Sequence, residues 1–124
     1  MIRPVFLTAG SVLPILWGIA HLFPTASVVK GFGDISSDNR RILAMEWIIE
    51  GAALVFIGTV VLAAALIDAA APVARAVFAL SVLMLLALAA ISLFTGFKVR
   101  FLPFKLCPVI FTASAVLILA GGLL

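Results

Sequence analysis

The sequence predicts an all-α integral membrane protein, a four-helix bundle of four transmembrane spans in one domain over residues 1–124. Three observations predict it. The chain is 66% hydrophobic and 10% charged, whereas a soluble domain carries about 25% charged residues. Four apolar runs are each long enough to cross about 30 Å of hydrocarbon at about 1.5 Å of rise per residue. Most Lys and Arg fall between those runs, at headgroup depth.

The mean hydropathy is +1.42, so the lipid bilayer is the first partner. Lipid cannot satisfy backbone N–H and C=O groups, which makes helices the economical crossing element. The net charge of +3 forms no basic stripe on a soluble element, so no nucleic-acid partner is expected.

Span one covers residues 5–23 and stops at Pro24. Arg3 followed by an apolar run resembles a signal peptide, but Ala20-His21-Leu22-Phe23-Pro24 is a poor cleavage site, so the span is read as retained. Span two covers residues 39–67, with Asp38 or Ser37 as its N-cap. Span three covers residues 75–97, behind Pro72. Span four covers residues 106–124, with Pro108 in its first turn. Between spans one and two, Ala26-Ser27-Val28-Val29-Lys30-Gly31-Phe32 is apolar enough to lie in the interface as a short helix or re-entrant turn.

Orientation follows from the cations. Lys30, Arg40, Arg41, Lys98, Arg100 and Lys105 lie in the two long linkers or at their edges, against Arg3 and Arg75 on the opposite side. Six against two predicts cytoplasmic linkers and both termini outside. Phe94, Phe97, Phe101 and Phe104 interleave with Lys98, Arg100 and Lys105, the pattern of an interfacial belt that holds anionic headgroups.

Span two opens on Met45-Glu46-Trp47-Ile48-Ile49-Glu50-Gly51. Acids inside a span cost about 2.5–3.5 kcal/mol each at the centre, and less toward an interface. A helical wheel at about 100° per residue puts Glu46 and Glu50 on the same side as Leu54, Ile57 and Val61. Trp47, Gly51, Gly58 and Ala65 continue that arc. Small residues let membrane helices approach closely, so the acid face is expected to point into the bundle. In span one, Gly10, Pro14, Trp17, Gly18 and His21 share a stripe. Trp17, His21, Glu46, Trp47, Glu50 and Cys107 are therefore expected around one cavity opening at the linker side.

Several chemistries fit that set. Glu46 and Glu50, one turn apart, could share a proton in a relay or coupled transporter. A carboxylate facing His21 suits acid–base catalysis on a membrane-dissolved substrate, with His21, Glu46 and Glu50 as candidates. A metal held by His21, Glu46, Glu50 and Cys107 is the minority alternative. The bland alternative is an ion-pair knot neutralised by Arg40, Arg41 or Lys98. Cys107 is the only cysteine, so no internal disulfide forms. Cys107-Pro108 has the shape of a thiolate haem ligand, but no second ligand is spaced for it, and a packing role is expected. No motif names a cofactor, and the phosphate loop, Gly-x-Ser-x-Gly and zinc-protease patterns are absent.

Gly18-Ile19-Ala20-His21-Leu22-Phe23-Pro24, with the start of span two, resembles the DoxX-like families of small bacterial four-span membrane proteins. That resemblance implies a multi-pass protein of the bacterial inner (plasma) membrane with an accessory role in a quinone-linked redox assembly. Membrane sterol isomerases offer an architectural analogy, since they place histidine, glutamates and tryptophan within a helical bundle. The expected function is binding of a quinone or lipid in a cytoplasm-facing polar pocket. The alternatives are an oligomeric proton-coupled transporter or channel, and a structural subunit of a larger membrane complex.

Overall fold

A computed structural model describes residues 1–124. The helices are α1 (Ile2–Leu22), α2 (Thr25–Lys30), α3 (Ser37–Asp68), α4 (Pro72–Phe94) and α5 (Leu102–Ile118), and there is no strand. Four of them, α1, α3, α4 and α5 with its terminal turn, are long and apolar enough to cross a membrane. The chain is a multi-pass membrane protein built as an up-down-up-down four-helix bundle. One end of the bundle carries both long linkers. The other carries both termini and the short α3–α4 turn.

Local chemistry sets the boundaries. Pro4 sits in the first turn of α1, where a missing N–H costs nothing. Phe23-Pro24 ends α1, and the chain re-enters helix as α2, which lies between Pro24 and Gly31. Gly33 then adopts φ +76°, a left-handed conformation that suits glycine. The cap of α3 is Ser36, one residue ahead of the expected Ser37 or Asp38. Its hydroxyl oxygen accepts the Asn39 N–H at 3.1 Å, and Asp38 instead sits in the first turn, where a negative charge favours the helix dipole. At 32 residues α3 is about 48 Å long, so its charged first turns extend past the hydrocarbon. Asp68 Oδ1 accepts the Ala70 N–H at 2.9 Å, and Pro72 opens α4.

The last span starts earlier than the apolar run alone suggests. Pro103, at the head of α5, fits the first turn, so helix begins at Leu102. Pro108 is consequently inside α5 rather than in its first turn. The chain closes with a π-turn over Leu119–Leu123, held at the termini end by Arg3 Nε donating to the Gly121 carbonyl at 3.3 Å.

Only 23 of 124 residues are buried, so the outside remains largely apolar. Phe56, Leu66, Ile67, Leu80 and Leu83 all face outward, which suits acyl chains. Lipid gives no hydrophobic drive between helices, and close packing must hold them together. The core consists of Phe78 and Leu85 from α4, Phe111 and Ile118 from α5, Leu54 and Val61 from α3, and Leu7 from α1.

Two seams matter most. On α3 the buried stripe is Gly51, Leu54, Gly58 and Val61, and it packs on α1. A Cβ on Gly51 would meet Leu22 Cδ2 at 2.6 Å, and one on Gly58 would collide with the Ser11 carbonyl. Between α1 and α5, Pro14 has no N–H to donate to the Gly10 carbonyl one turn back. Ser114 of α5 donates its hydroxyl to that carbonyl instead, at 2.5 Å. The stripe on α1 turns inward at Gly10, Pro14 and Gly18, as the wheel predicts. The acids of α3 do not lie on its buried stripe. They flank it, on the side toward α4.

Candidate ligand site

His21 belongs to the last turn of α1, whose final carbonyls have no helical partner. Trp47 Nε1 donates to the His21 carbonyl at 2.6 Å, and the Thr25 hydroxyl donates to the Leu22 carbonyl at 2.6 Å. The imidazole stacks on Trp47, with ring centroids 3.8 Å apart and planes 14° from parallel. Phe104 meets Trp47 edge-on at 5.7 Å, and Phe101 meets Phe104 at 5.9 Å. An aromatic row thus joins α1, α3 and the start of α5 at the linker end.

Glu50 lies one turn beyond Glu46 on the flank of α3. Glu50 Oε2 stands 3.5 Å from His21 Nε2, and the His21 side chain is only 7% exposed. That separation is within ion-pair reach but long for a hydrogen bond, and His21 Nε2 has no hydrogen-bond partner in the protein. The sequence leaves open whether the acids meet His21 or an arginine. In the structure Glu50 faces His21, and no lysine or arginine pairs with either acid. Arg41 turns to Asp38 at 3.7 Å. Lys105 donates to the Phe97 carbonyl at 2.7 Å and lies over the Phe97 ring. The ion-pair knot with Arg40, Arg41 or Lys98 does not form.

The single cavity expected around all six residues is divided in two. His21 and Trp47, stacked, form the partition. On one side, a groove of about 340 Å³ opens between α3 and α4. Glu46, Trp47 and Glu50 line it together with Leu54, Met84 and Leu88, and Val28, Val29 and Phe32 close it from α2 and the following loop. On the other side, a hollow of about 200 Å³ is lined by Trp17, His21, Trp47, Phe101, Phe104 and Cys107, with Pro24 and Pro103 at its rim. Cys107 is buried, and its thiol points to the Pro103 carbonyl at 3.5 Å. His21, Glu46, Glu50 and Cys107 do not converge, and no three side chains of metal-ligating type gather anywhere in the chain.

A third cavity, of about 600 Å³, lies at the termini end, where Arg3 and Arg75 line it. Lys98 and Arg100 stay exposed in the linker and pair with no acid.

Sequence reasoning missed the far walls of the groove. Met84 and Leu88 sit four apart on α4 and share a face, which a wheel can find. Nothing in their chemistry separates them from the other apolar residues of that helix. The site can hold an apolar body against α4 while presenting two carboxylates to one end of it. Comparison with protein-family models, curated proteins and solved structures finds no match for the chain.

Proposed function

We propose that this membrane protein binds a hydrophobic or amphiphilic molecule of the bilayer in the groove between α3 and α4. The polar end of the ligand meets Glu46 and Glu50, and its apolar part runs along Leu54, Met84 and Leu88. α2 lies over the groove as a lid, and the linker end faces the cytoplasm. His21, fixed by its stack on Trp47, faces Glu50. A quinone-linked redox assembly is the context that the DoxX-like resemblance implies.

One observation carries this reading. The groove is apolar except for two carboxylates to which the chain supplies no lysine or arginine. Its volume of about 340 Å³ sits at the small end of the roughly 300–1,000 Å³ typical of ligand pockets. The transporter reading is less well supported. Beyond Leu54 the helices meet in a core of Val61, Phe78, Leu85 and Ile118, and the buried hydroxyls of Ser11 and Ser114 are spent on helix carbonyls.

The test uses the protein in nanodiscs with Trp17→Phe, so that Trp47 alone fluoresces. Titration with 6-bromododecanol, whose bromine then lies near the headgroup end, should quench Trp47 saturably. Ala53→Phe, which fills the groove from an exposed position of α3, should leave only the linear quenching of a probe dissolved in lipid. Linear quenching in both proteins would refute the groove as a binding site.

A further inference from the structure

We infer that the groove takes a single-tailed organic cation, a positively charged headgroup on one apolar chain. The inference rests on the binding reading above and names the chemistry of its ligand.

The argument begins with what the acids lack. Glu46 and Glu50 open on the same groove, one helical turn apart. Arg41 pairs with Asp38 and Lys105 with the Phe97 carbonyl, no lysine or arginine reaches ion-pair distance of either acid, and the only basic group against them is the His21 imidazole, beside Glu50. That imidazole is 7% exposed, and its Nε2 finds no hydrogen bond while it faces Glu50. The groove wall therefore carries two carboxylates with no lysine or arginine beside them and is otherwise apolar, and the buried, unpartnered His21 Nε2 stands behind Glu50.

An ionised carboxylate has only acceptors to offer. A ligand ending in carbonyl oxygens would bring acceptors to acceptors, and one ending in a phosphate would also bring like charge to like charge. A ligand ending in an ammonium offsets both costs at once, since charge left in a low-dielectric groove attracts its opposite far more strongly than in water. Trp47 and Phe32 also line the groove, and aromatic rings attract organic cations. The groove is small for a two-tailed phospholipid, so one chain is the expected tail.

The experiment titrates 6-bromododecyltrimethylammonium and 6-bromododecanol into zwitterionic nanodiscs and follows Trp47 quenching. Each probe is compared across variants, so its partitioning into lipid cancels. The expected result is that Glu46→Gln with Glu50→Gln raises the half-saturation of the cation roughly tenfold, as loss of close opposite charge requires, and shifts that of the alcohol by less than about threefold, since glutamine still accepts from a hydroxyl. Circular dichroism confirms that the variant folds. If it does not, Glu46→Gln alone, at a residue with no partner in the protein, should raise the cation value roughly threefold. An unchanged cation value in a folded variant overturns the inference. Saturable alcohol binding with no charge dependence for the cation keeps the groove and rejects the cation. Failure of both probes to saturate the unsubstituted groove rejects both readings. Added phosphatidylethanolamine should leave the cation titration unshifted. Competition by that lipid would overturn the single-tailed assignment in favour of a lipid amine.

Discussion

His21 lies flat against Trp47 with ring centroids 3.8 Å apart, while the indole N–H of Trp47 returns to the backbone carbonyl of His21 at 2.6 Å. One residue holds the other by both ring and main chain. The pair fastens the last turn of α1 to α3, sets the imidazole edge toward Glu50 and walls off two hollows from each other.

Trp47→Phe keeps a ring for the stack but removes the N–H, leaving a helix-end carbonyl without its donor. The expected loss is about 1 kcal/mol. Trp47→Leu removes the stack as well and should lose about 2 kcal/mol in total. Reversible unfolding in bicelles reads both values. A Trp47→Phe protein as stable as the original would show that the indole hydrogen bond contributes nothing.

Ser114 and Pro14 are coupled through the Gly10 carbonyl, although 100 residues separate them in sequence. Ser114→Ala strands a buried acceptor and should cost about 1–2 kcal/mol. Pro14→Ala supplies a backbone N–H to the same carbonyl. In that background the cost of Ser114→Ala should fall below about 0.5 kcal/mol, since the carbonyl no longer depends on the hydroxyl. Additive costs in the double-mutant cycle would contradict the shared acceptor.

Gly58 packs where α3 crosses Ser11 and Ile15 of α1. Gly58→Ala forces the two backbones apart, and overpacking of this kind costs about 1–3 kcal/mol. Ala52→Gly, on the exposed face of α3, should cost less, about 0.5–1 kcal/mol of helix propensity. If Gly58→Ala proves neutral in the same unfolding assay, the seam is not tightly closed.

Much of this fold is legible in the sequence, because lipid imposes simple rules. Long apolar runs must be helices, and Gly51 and Gly58 mark the face that meets another helix. The apolar stretch from Ala26 forms a short helix, one of the two forms its composition suggests. The helix wheel was less informative about the acids. It places Glu46 and Glu50 on the same broad arc as Gly51, but an arc of that width covers both a buried stripe and its flank. Only packing decides that the glycines take α1 while the acids flank them and open on the groove beside α4. The division into two hollows was not legible either. A wheel gives the direction of His21 and Trp47, whereas their stack depends on depth, rotamer and the kept distance between two backbones. Pro103 illustrates a different limit: the aromatic-basic linker reads as a belt, yet its proline already starts α5.

The Lys and Arg distribution predicts which end lies inside. In a Cys107→Ser background, Asp68→Cys at the α3–α4 turn should react with a membrane-impermeant maleimide added to intact cells. Ser37→Cys at the start of α3 should react only after permeabilisation. The reverse pattern would place the groove mouth outside and overturn the proposed cytoplasmic opening.

Photolabelling tests the groove most directly, because it needs no substitution. A dodecyltrimethylammonium with a diazirine in its chain, activated in nanodiscs and mapped by peptide mass spectrometry, should mark Met84 and Leu88. An excess of unlabelled dodecyltrimethylammonium should abolish those adducts and spare the background on outward-facing Phe56, Leu80 and Leu83. Adducts confined to those outward residues, or adducts at Met84 and Leu88 that competitor does not remove, would contradict a ligand site between α3 and α4.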